Sequence, residues 1–425
     1  MAKTGSIARA RDALRSRDFR KLLALRLCSQ TGDGLFQAAL VASVVFSPAQ
    51  QSTAWGLFKI TLIVALPFSI IGPFTGVFID RWARKKILMF APILRALFAA
   101  LILADPRHAP FAFYAGALVV LSINRFHLAT AQAVVPRLVP AEDLLMANTM
   151  ATVGGTLALL IGVFAGGKIA DTYGGGAIVT AAIVLWIATS AVASRIRSEL
   201  TPVFTPEDPE LLRHQIKRVG VEFMDGARTL VRTPQAIAPI TSITVDQFAQ
   251  GILLALSLVV FRERFNEGVG SYSNLIAAGG VGVMLGISTI GWLEERFARV
   301  NIVAGSFLVG GVAVGVTALD VTGTTVLLLS FVVGLTFTWK KIPIDTMVQE
   351  SVPDGFRGRV FSVYDLAYNG ARIAAIGLAV QLIPKIGVSG TLGVTAAALL
   401  AWTPVLPRWL RSRNTLKFGV TPRRR

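Results

Sequence analysis

Cysteine occurs once in this 425-residue chain, at Cys28, so no intramolecular disulfide framework can form. Histidine is also scarce: His108, His127 and His214 stand apart, with no clustered cysteines to complete a metal-ligand spacing. Charged residues make up 16% of the chain, against roughly 25% in a soluble globular domain. Acids are the rarer sign, 24 Asp and Glu against 42 Lys and Arg. Apolar residues fill the space, at 53%, and charge is missing altogether from 60–79, 144–167, 172–194, 268–293, 300–319 and 386–407. At ~1.5 Å per residue each run is long enough to cross ~30 Å of hydrocarbon. The implied class is an all-α, multi-pass membrane protein, because unbroken apolar runs of this length exclude the alternation of a barrel strand.

On a soluble protein a net charge of +18 would raise nucleic acid as a partner. The placement of the charge decides against it. Most Lys and Arg lie in the N-terminal segment, in Arg81–Lys86, in 195–232 and in the tail from Arg408, and alternate threading of the spans puts all of these on one side. The positive-inside rule makes that side the cytoplasm, with both termini in it and the protein in the cell membrane. Basic flanks attract anionic head groups, so membrane lipids are expected partners and nucleic acid is not. The Arg-rich start, Met1 to Lys21, precedes a span too long and too polar for a cleaved leader, and reads as a cytoplasmic arm.

Window by window, spans are expected near 19–46, 54–78, 87–104, 111–135, 145–168, 175–194, 236–261, 272–293, 301–319, 324–348, 361–383 and 388–406. The expected organisation is an arm (1–18), a six-helix bundle (19–194), a linker (195–235), a second six-helix bundle (236–406) and a basic tail (407–425). Within the linker Leu212, Ile216, Val219, Phe223, Ala227 and Leu230 recur at helical spacing opposite Arg213, Lys217 and Arg228, the pattern of an amphipathic surface helix.

The two halves repeat each other. Gly76-Val-Phe-Ile-Asp80-Arg81-Trp82-Ala83-Arg84 matches Gly291-Trp-Leu-Glu-Glu295-Arg296-Phe297-Ala298-Arg299. Asp33 and Gln37 in span 1 likewise match Asp246 and Gln250 in span 7, and Val139-Pro140 matches Val352-Pro353. Two pseudo-symmetric bundles from an internal duplication are the arrangement in which each rocks about a site between them.

On these features the chain resembles a major facilitator superfamily transporter. The superfamily's loop motif is present as Gly76, Asp80, Arg81, Arg84 and Lys85. Asp18-Phe-Arg-Lys-Leu-Leu, Gly32-Asp-Gly34 and the stretch Pro136 to Asn148 are similar to its drug- and siderophore-exporting branch, which includes macrolide and enterobactin exporters. The resemblance implies the major facilitator fold of twelve transmembrane helices, a cavity lined by spans 1, 4, 7 and 10, and a loop that latches the cytoplasmic side. Gly76 permits close helix approach and Asp80 meets a helix N-terminus or an arginine, with Asp365 as the implied partner. The positive-inside rule alone accounts for Arg84, Lys85 and Lys86, but not for the copied acid in Glu295-Arg296. Gly162-Val163-Phe164-Ala165-Gly166-Gly167 resembles the antiporter motif, with Val163 where that motif has proline; close helix packing through small residues is the alternative.

Charge inside the membrane is the other signal, since an ionised side chain at mid-bilayer costs about 2.5–3.5 kcal/mol even on insertion scales. Asp33, between Gly32 and Gly34, is expected to carry protons with Arg125 in span 4 as its counter-charge, a static ion pair or a helix-kink carboxylate being the alternative. Asp246 is its counterpart, with Lys340 and Lys341 as candidate bases. Gln37, Gln250, Asn124 and His127 are candidate cavity residues, and Arg95 and Arg372 candidate packing or pairing residues, the latter with Asp365. Gly162 to Lys168 mimics a phosphate-binding loop, but Ile169 replaces the hydroxyl that would hold Mg²⁺, so an ion gradient and not ATP is the expected energy source. The expected function is proton-coupled efflux of a small amphipathic or hydrophobic compound by a non-enzymatic, monomeric carrier without cofactor or metal. A lipid or lysolipid translocator and a proton-coupled nutrient importer are the alternatives.

Overall fold

The computed structural model describes residues 11–45, 83–104, 110–198, 200, 220–221, 223–260, 269–353 and 356–412. Among these the chain is helical, with no strand. The long helices are α1 (Arg17–Val45), α2 (Arg84–Ala104), α3 (Pro110–Val134), α4 (Leu144–Tyr173), α5 (Gly175–Ser194), α6 (Pro234–Val259), α7 (Val269–Arg296), α8 (Arg299–Leu319), α9 (Gly323–Ser351) and α10 (Arg357–Trp402), followed by the short α11 (Val405–Ser412). Helices α2 to α9 and the stretch Arg357–Leu410 account for nine segments, among the described residues, long and apolar enough to cross a membrane. Helix α1 has the length but carries six charged residues, Asp33 among them, and its mean hydropathy falls accordingly. The expected span 54–78 lies outside the described residues.

Local chemistry sets the helix ends. Gly174 takes a φ of +79°, which only glycine adopts without strain, and there α4 gives way to α5. Thr322 opens α9 with reciprocal bonds: its hydroxyl accepts from the Thr325 N–H, and the Thr325 hydroxyl accepts from the Thr322 N–H at 2.9 Å. Helix α10 holds the expected spans 11 and 12, and Gly387, at φ +71°, is the non-helical point that divides them.

The chain forms two compact units, α1 to α5 in one and α6 to α11, with α7 from residue 274, in the other. In the first, α1 packs on α4 and α5, while α2 packs on α3 and α5. In the second, α10 packs on α6 and α8, and α9 on α6 and α8. Large apolar residues also line outer surfaces: Phe90, Ile93, Leu94, Leu97 and Leu101 make an exposed stripe along α2, and Leu308, Val309, Val312 and Val316 another along α8. Such stripes are unfavourable in water and natural in hydrocarbon.

Glycine brings some helices to backbone contact. A Cβ on Gly162 of α4 would stand 2.2 Å from the Thr31 carbonyl of α1, and one on Gly34 would stand 2.2 Å from the Leu159 carbonyl. Gly166 of the same motif meets the Ala38 Cβ at 2.7 Å. The small residues of span 5 therefore serve packing on α1. In the second unit Gly282 of α7 and Gly334 of α9 face each other in the same manner, at 2.1 Å from the Phe331 carbonyl and 2.0 Å from the Gly279 carbonyl. Of the linker, residues 223–231 are helical, and Gly226 lies against the Arg359 backbone at the start of α10. Leu212, Arg213, Ile216, Lys217 and Val219 lie outside the described residues.

At one end of the first unit Asp18, just before the first span, ties α1 to the turn that follows α5. Its Oδ1 accepts from Lys21 Nζ at 2.6 Å, and its Oδ2 from the N–H groups of Arg197 (3.0 Å) and Ser198 (2.7 Å) and the Ser198 hydroxyl (2.7 Å). Burial opposes the charged form, but these donors outweigh it and hold the carboxyl well below the usual carboxylate range.

Two outcomes follow from this packing. Gly162→Val should lower stability by about 1–3 kcal/mol through overpacking, measured by thermal unfolding in detergent, whereas Gly305→Ala, with nothing within 4 Å of the new Cβ, should not. Asp18→Asn should melt below the wild type at neutral pH. Because the folded carboxyl sits below its unfolded value of ~3.9, the difference should persist above about pH 4 and close as the pH falls further.

Candidate functional site

Asp33 lies near the middle of α1, buried to 3% exposure, and Arg95 of α2 beside it has no exposure at all. Arg95 Nη1 donates to Asp33 Oδ1 at 2.6 Å and to Asn124 Oδ1 of α3 at 2.9 Å, while Nη2 donates to Ser29 Oγ at 2.9 Å. Trp186 of α5 donates its indole N–H to the same Asp33 Oδ1 at 3.0 Å, and the guanidinium lies 4.9 Å from its ring. A Cβ on Gly32 would stand 2.8 Å from that indole nitrogen, so the glycine before Asp33 is what admits the tryptophan. Oδ1 thus takes two donors, whereas Oδ2 is buried with no hydrogen-bond partner among the described residues.

The expected counter-charge of Asp33 was Arg125; the structure supplies Arg95 instead. Asn124 and Arg125 are successive residues of one helix, about 100° apart around its axis. Asn124 faces the buried pair, which leaves Arg125 on another, half-buried face. Asn124 and His127, three residues apart, share the inner face; His127 is 1% exposed, and neither ring nitrogen has a hydrogen-bond partner among the described residues. A second buried cation, Arg26, donates to Gln132 at 3.2 Å. Gln37, one turn beyond Asp33, is half-buried.

In the second unit Asp246 of α6 pairs with Lys340 of α9, both nearly sealed. Gln250 donates to Asp246 Oδ2 at 2.7 Å and Gln247 at 3.3 Å, and the Lys340 ammonium lies 4.9 Å from the Phe307 ring. Lys340 stands at the repeat position of His127, so here the base comes from the expected span 10, whereas in the other unit it comes from α2, the expected span 3. Lys341, the other candidate base, turns away to Asp345 at 2.5 Å, because consecutive helical residues cannot reach one carboxylate from the same side. Tyr364 also donates to Asp345, at 2.7 Å, and the Lys341 ammonium lies 4.9 and 5.6 Å from the Tyr364 and Tyr368 rings. Arg372 bonds to Gln247 and lies 5.5 Å from the Tyr368 ring, so its partner is an amide and not Asp365. Asp365 is exposed and its carbonyl accepts from Asn369.

Of the loop motif, Gly76, Asp80 and Arg81 lie outside the described residues, and Arg84 is buried at the start of α2. In the repeat Glu295 and Arg296 are exposed, with Arg296 stacked 4.1 Å from the Trp292 ring. The engaged acid is its neighbour: Arg299 bridges Glu294 at 3.3 Å and Glu350 at 2.8 Å. No group of three or more His, Cys, Asp or Glu fit to hold a metal occurs among the described residues. Sequence reasoning missed Ser29, Trp186, Gln247, Tyr364 and Tyr368. Only the spacing of Trp186, on the inward stripe of an otherwise apolar span, signalled a buried donor.

Removing Arg95 should strand a buried carboxylate. Arg95→Met alone should cost about 3–5 kcal/mol, and adding Asp33→Asn should recover much of it, in a thermal double-mutant cycle. Arg125→Met should show no such coupling to Asp33.

Comparison with known proteins places this architecture. The family model described as Major Facilitator Superfamily matches residues 22–376. An uncharacterized MFS-type transporter of Mycobacterium tuberculosis is 30% identical over 383 residues, covering 87% of this chain and 86% of the relative. Macrolide efflux protein A of Enterococcus faecalis is 23% identical, with 72% of this chain and 94% of the relative covered. A lysophospholipid transporter of Yersinia enterocolitica is 25% identical, with 88% and 89% covered. A crystal structure of a POT family transporter in complex with a thioalcohol-conjugated peptide superposes at a TM-score of 0.74 with 13% identity, covering 94% of this chain and 97% of that one. With the family model spanning most of its length and a relative at 30% identity covered almost end to end, the chain belongs to the major facilitator superfamily of membrane transporters.

Proposed function

We propose that the protein is a proton-driven secondary transporter that exports a small amphipathic or hydrophobic compound by alternating access. The observation that carries this reading is the buried acid–base pair near mid-helix in the first long helix of each unit, Asp33–Arg95 and Asp246–Lys340. Ionic pairs are a costly way to fill a membrane interior, and well-packed apolar residues would stabilise it at least as well. Their retention is explained by a change of charge state during work. Asp33 Oδ2 offers a place for a proton, and neutralising Asp246 would remove the attraction that holds Lys340 to α6. Gln250 and Gln247 steady the Asp246 carboxylate, and Gln37, Asn124 and His127 complete the polar set.

The charge distribution supports placement in the cell membrane with both termini cytoplasmic; the proposed carrier is a monomer without cofactor. Gly76, Asp80, Arg81 and Arg84, with Asp365, act as the latch of the cytoplasmic side, and Glu295 and Arg296 stand at its repeat. The relative named for macrolide efflux supports export of a hydrophobic compound; the one named for lysophospholipid transport supports a second reading, translocation of a lysolipid.

The test is transport by purified protein in proteoliposomes under an imposed proton gradient, with a macrolide and a lysophospholipid as parallel probes and an internal pH dye. Asp246→Asn and Asp33→Asn should each lose proton-coupled movement by tenfold or more. The uncharged pair Asp33→Asn/Arg95→Met should remain folded yet uncoupled, separating loss of coupling from loss of fold. Unchanged proton movement in both single variants would remove these carboxylates from the carrier role.

A further inference from the structure

The first unit carries a second polar feature, remote from Asp33, that the transport reading does not use. Where α1 and α2 begin and α5 ends, a cavity of about 770 Å³ is ringed by Arg17, Lys21, Lys85, Arg195 and Arg197, with Asp18 as its one acid. These five cations come from three separate stretches of the chain. The positive-inside rule requires basic residues near a membrane face, but not that they converge on one concavity. Asp18 offsets only one of them, and its ion pair is with Lys21 at 2.6 Å. Lys21 also answers the end of α5, donating to the Arg195 carbonyl at 2.6 Å. Arg17, Lys85, Arg195 and Arg197 are therefore left as positive charge in excess.

Two further properties favour an anion. Helices α1 and α2 begin at the cavity, with Arg17 the first residue of α1 and Lys85 the second of α2, so their positive ends add to the side-chain field, while the opposing C-terminal end of α5 is met by Lys21 at the Arg195 carbonyl. The Ser16 hydroxyl, which accepts from the Phe19 N–H at 3.2 Å, lies in the same wall and can donate to a phosphate oxygen; the Ser194 hydroxyl is engaged with the Ala191 carbonyl. The volume leaves room for a phosphate with its glycerol, so size does not restrict the ligand to free phosphate.

We propose that this cavity is a binding site for the phosphodiester head group of an anionic membrane lipid, such as phosphatidylglycerol, held by Arg17, Lys85, Arg195 and Arg197. The position supports a lipid source: the cavity sits where α1 and α2 begin and α5 ends, and α2 and α5 are apolar enough to cross a membrane, so a head group can enter while its chains stay in the bilayer. The proposal goes beyond the transport reading and is independent of what is carried.

The experiment measures binding of short-chain phosphatidylglycerol to the purified full chain in neutral detergent at low salt. Each charge removed, in Lys85→Gln or Arg197→Gln, should weaken binding about fivefold, and the double variant about 25-fold. Arg296→Gln, an exposed basic residue of the other unit, should change nothing, and Lys85→Arg should keep most of the affinity. Short-chain phosphatidylcholine should not compete. Wild-type affinity in the folded double variant, an equal loss in Arg296→Gln, or equal binding of phosphatidylcholine overturns the site. Glycerol 3-phosphate binding as tightly as the lipid overturns the assignment to a membrane lipid. Should the double variant fold poorly, as judged by circular dichroism, the single variants with the Lys85→Arg rescue decide the matter.

Discussion

A charge taken out of water and away from lipid head groups must find a partner of opposite sign, and most of what is distinctive in this structure answers that requirement. Asp33 alone draws in side chains from three other helices: Arg95 from α2, Trp186 from α5 and, through the arginine, Asn124 from α3. One carboxylate near the middle of α1 thus fixes the relative positions of four helices. Asp246 does the same work in the other unit with α9, and through Gln247 and Arg372 it reaches α10. Apolar contacts supply most of the packing, but they are non-directional; these bonds select one arrangement among the many that apolar helices could share.

The two units solve the same problem with different chemistry. Arginine, with its planar fork, bonds three partners at once and stays charged under any physiological condition. Lysine is a compact point charge that changes protonation more readily when buried. The duplicated acid is thus held by a forked, multiply bonding cation in one half and by a compact single-point one in the other, and Phe307 stands beside Lys340 close to the repeat position of Arg95. Duplication preserved the acids and let their partners diverge.

Much of the fold was legible in the sequence because lipid imposes a simple rule: a charge-free run of about twenty residues is a helix. The expected limits of spans 3 to 10 fall within a few residues of α2 to α9, and the division between spans 11 and 12 was placed beside Gly387. A lysine of span 10 was readable as the partner of Asp246, but the choice of Lys340 over Lys341 came from the structure. The partner of Asp33 was not readable. Periodicity says which residues share a face, but not which of several buried arginines a face will meet, and Arg95 sits in a run as apolar as its neighbours. The same limit hid the tyrosines around Lys341, whose contacts depend on how α9 and α10 cross.

The glycine contacts between α1 and α4, and between α7 and α9, deserve a mechanical reading. Where carbonyl oxygens approach to within a hydrogen atom's reach of a neighbouring glycine, no flexible side chain lies between the two backbones to absorb strain. Such a seam transmits displacement without slack. In α1 and α4 one backbone bears directly on the other at Gly34 and Gly162, so a sideways shift of α1 beside Asp33 meets α4 at once.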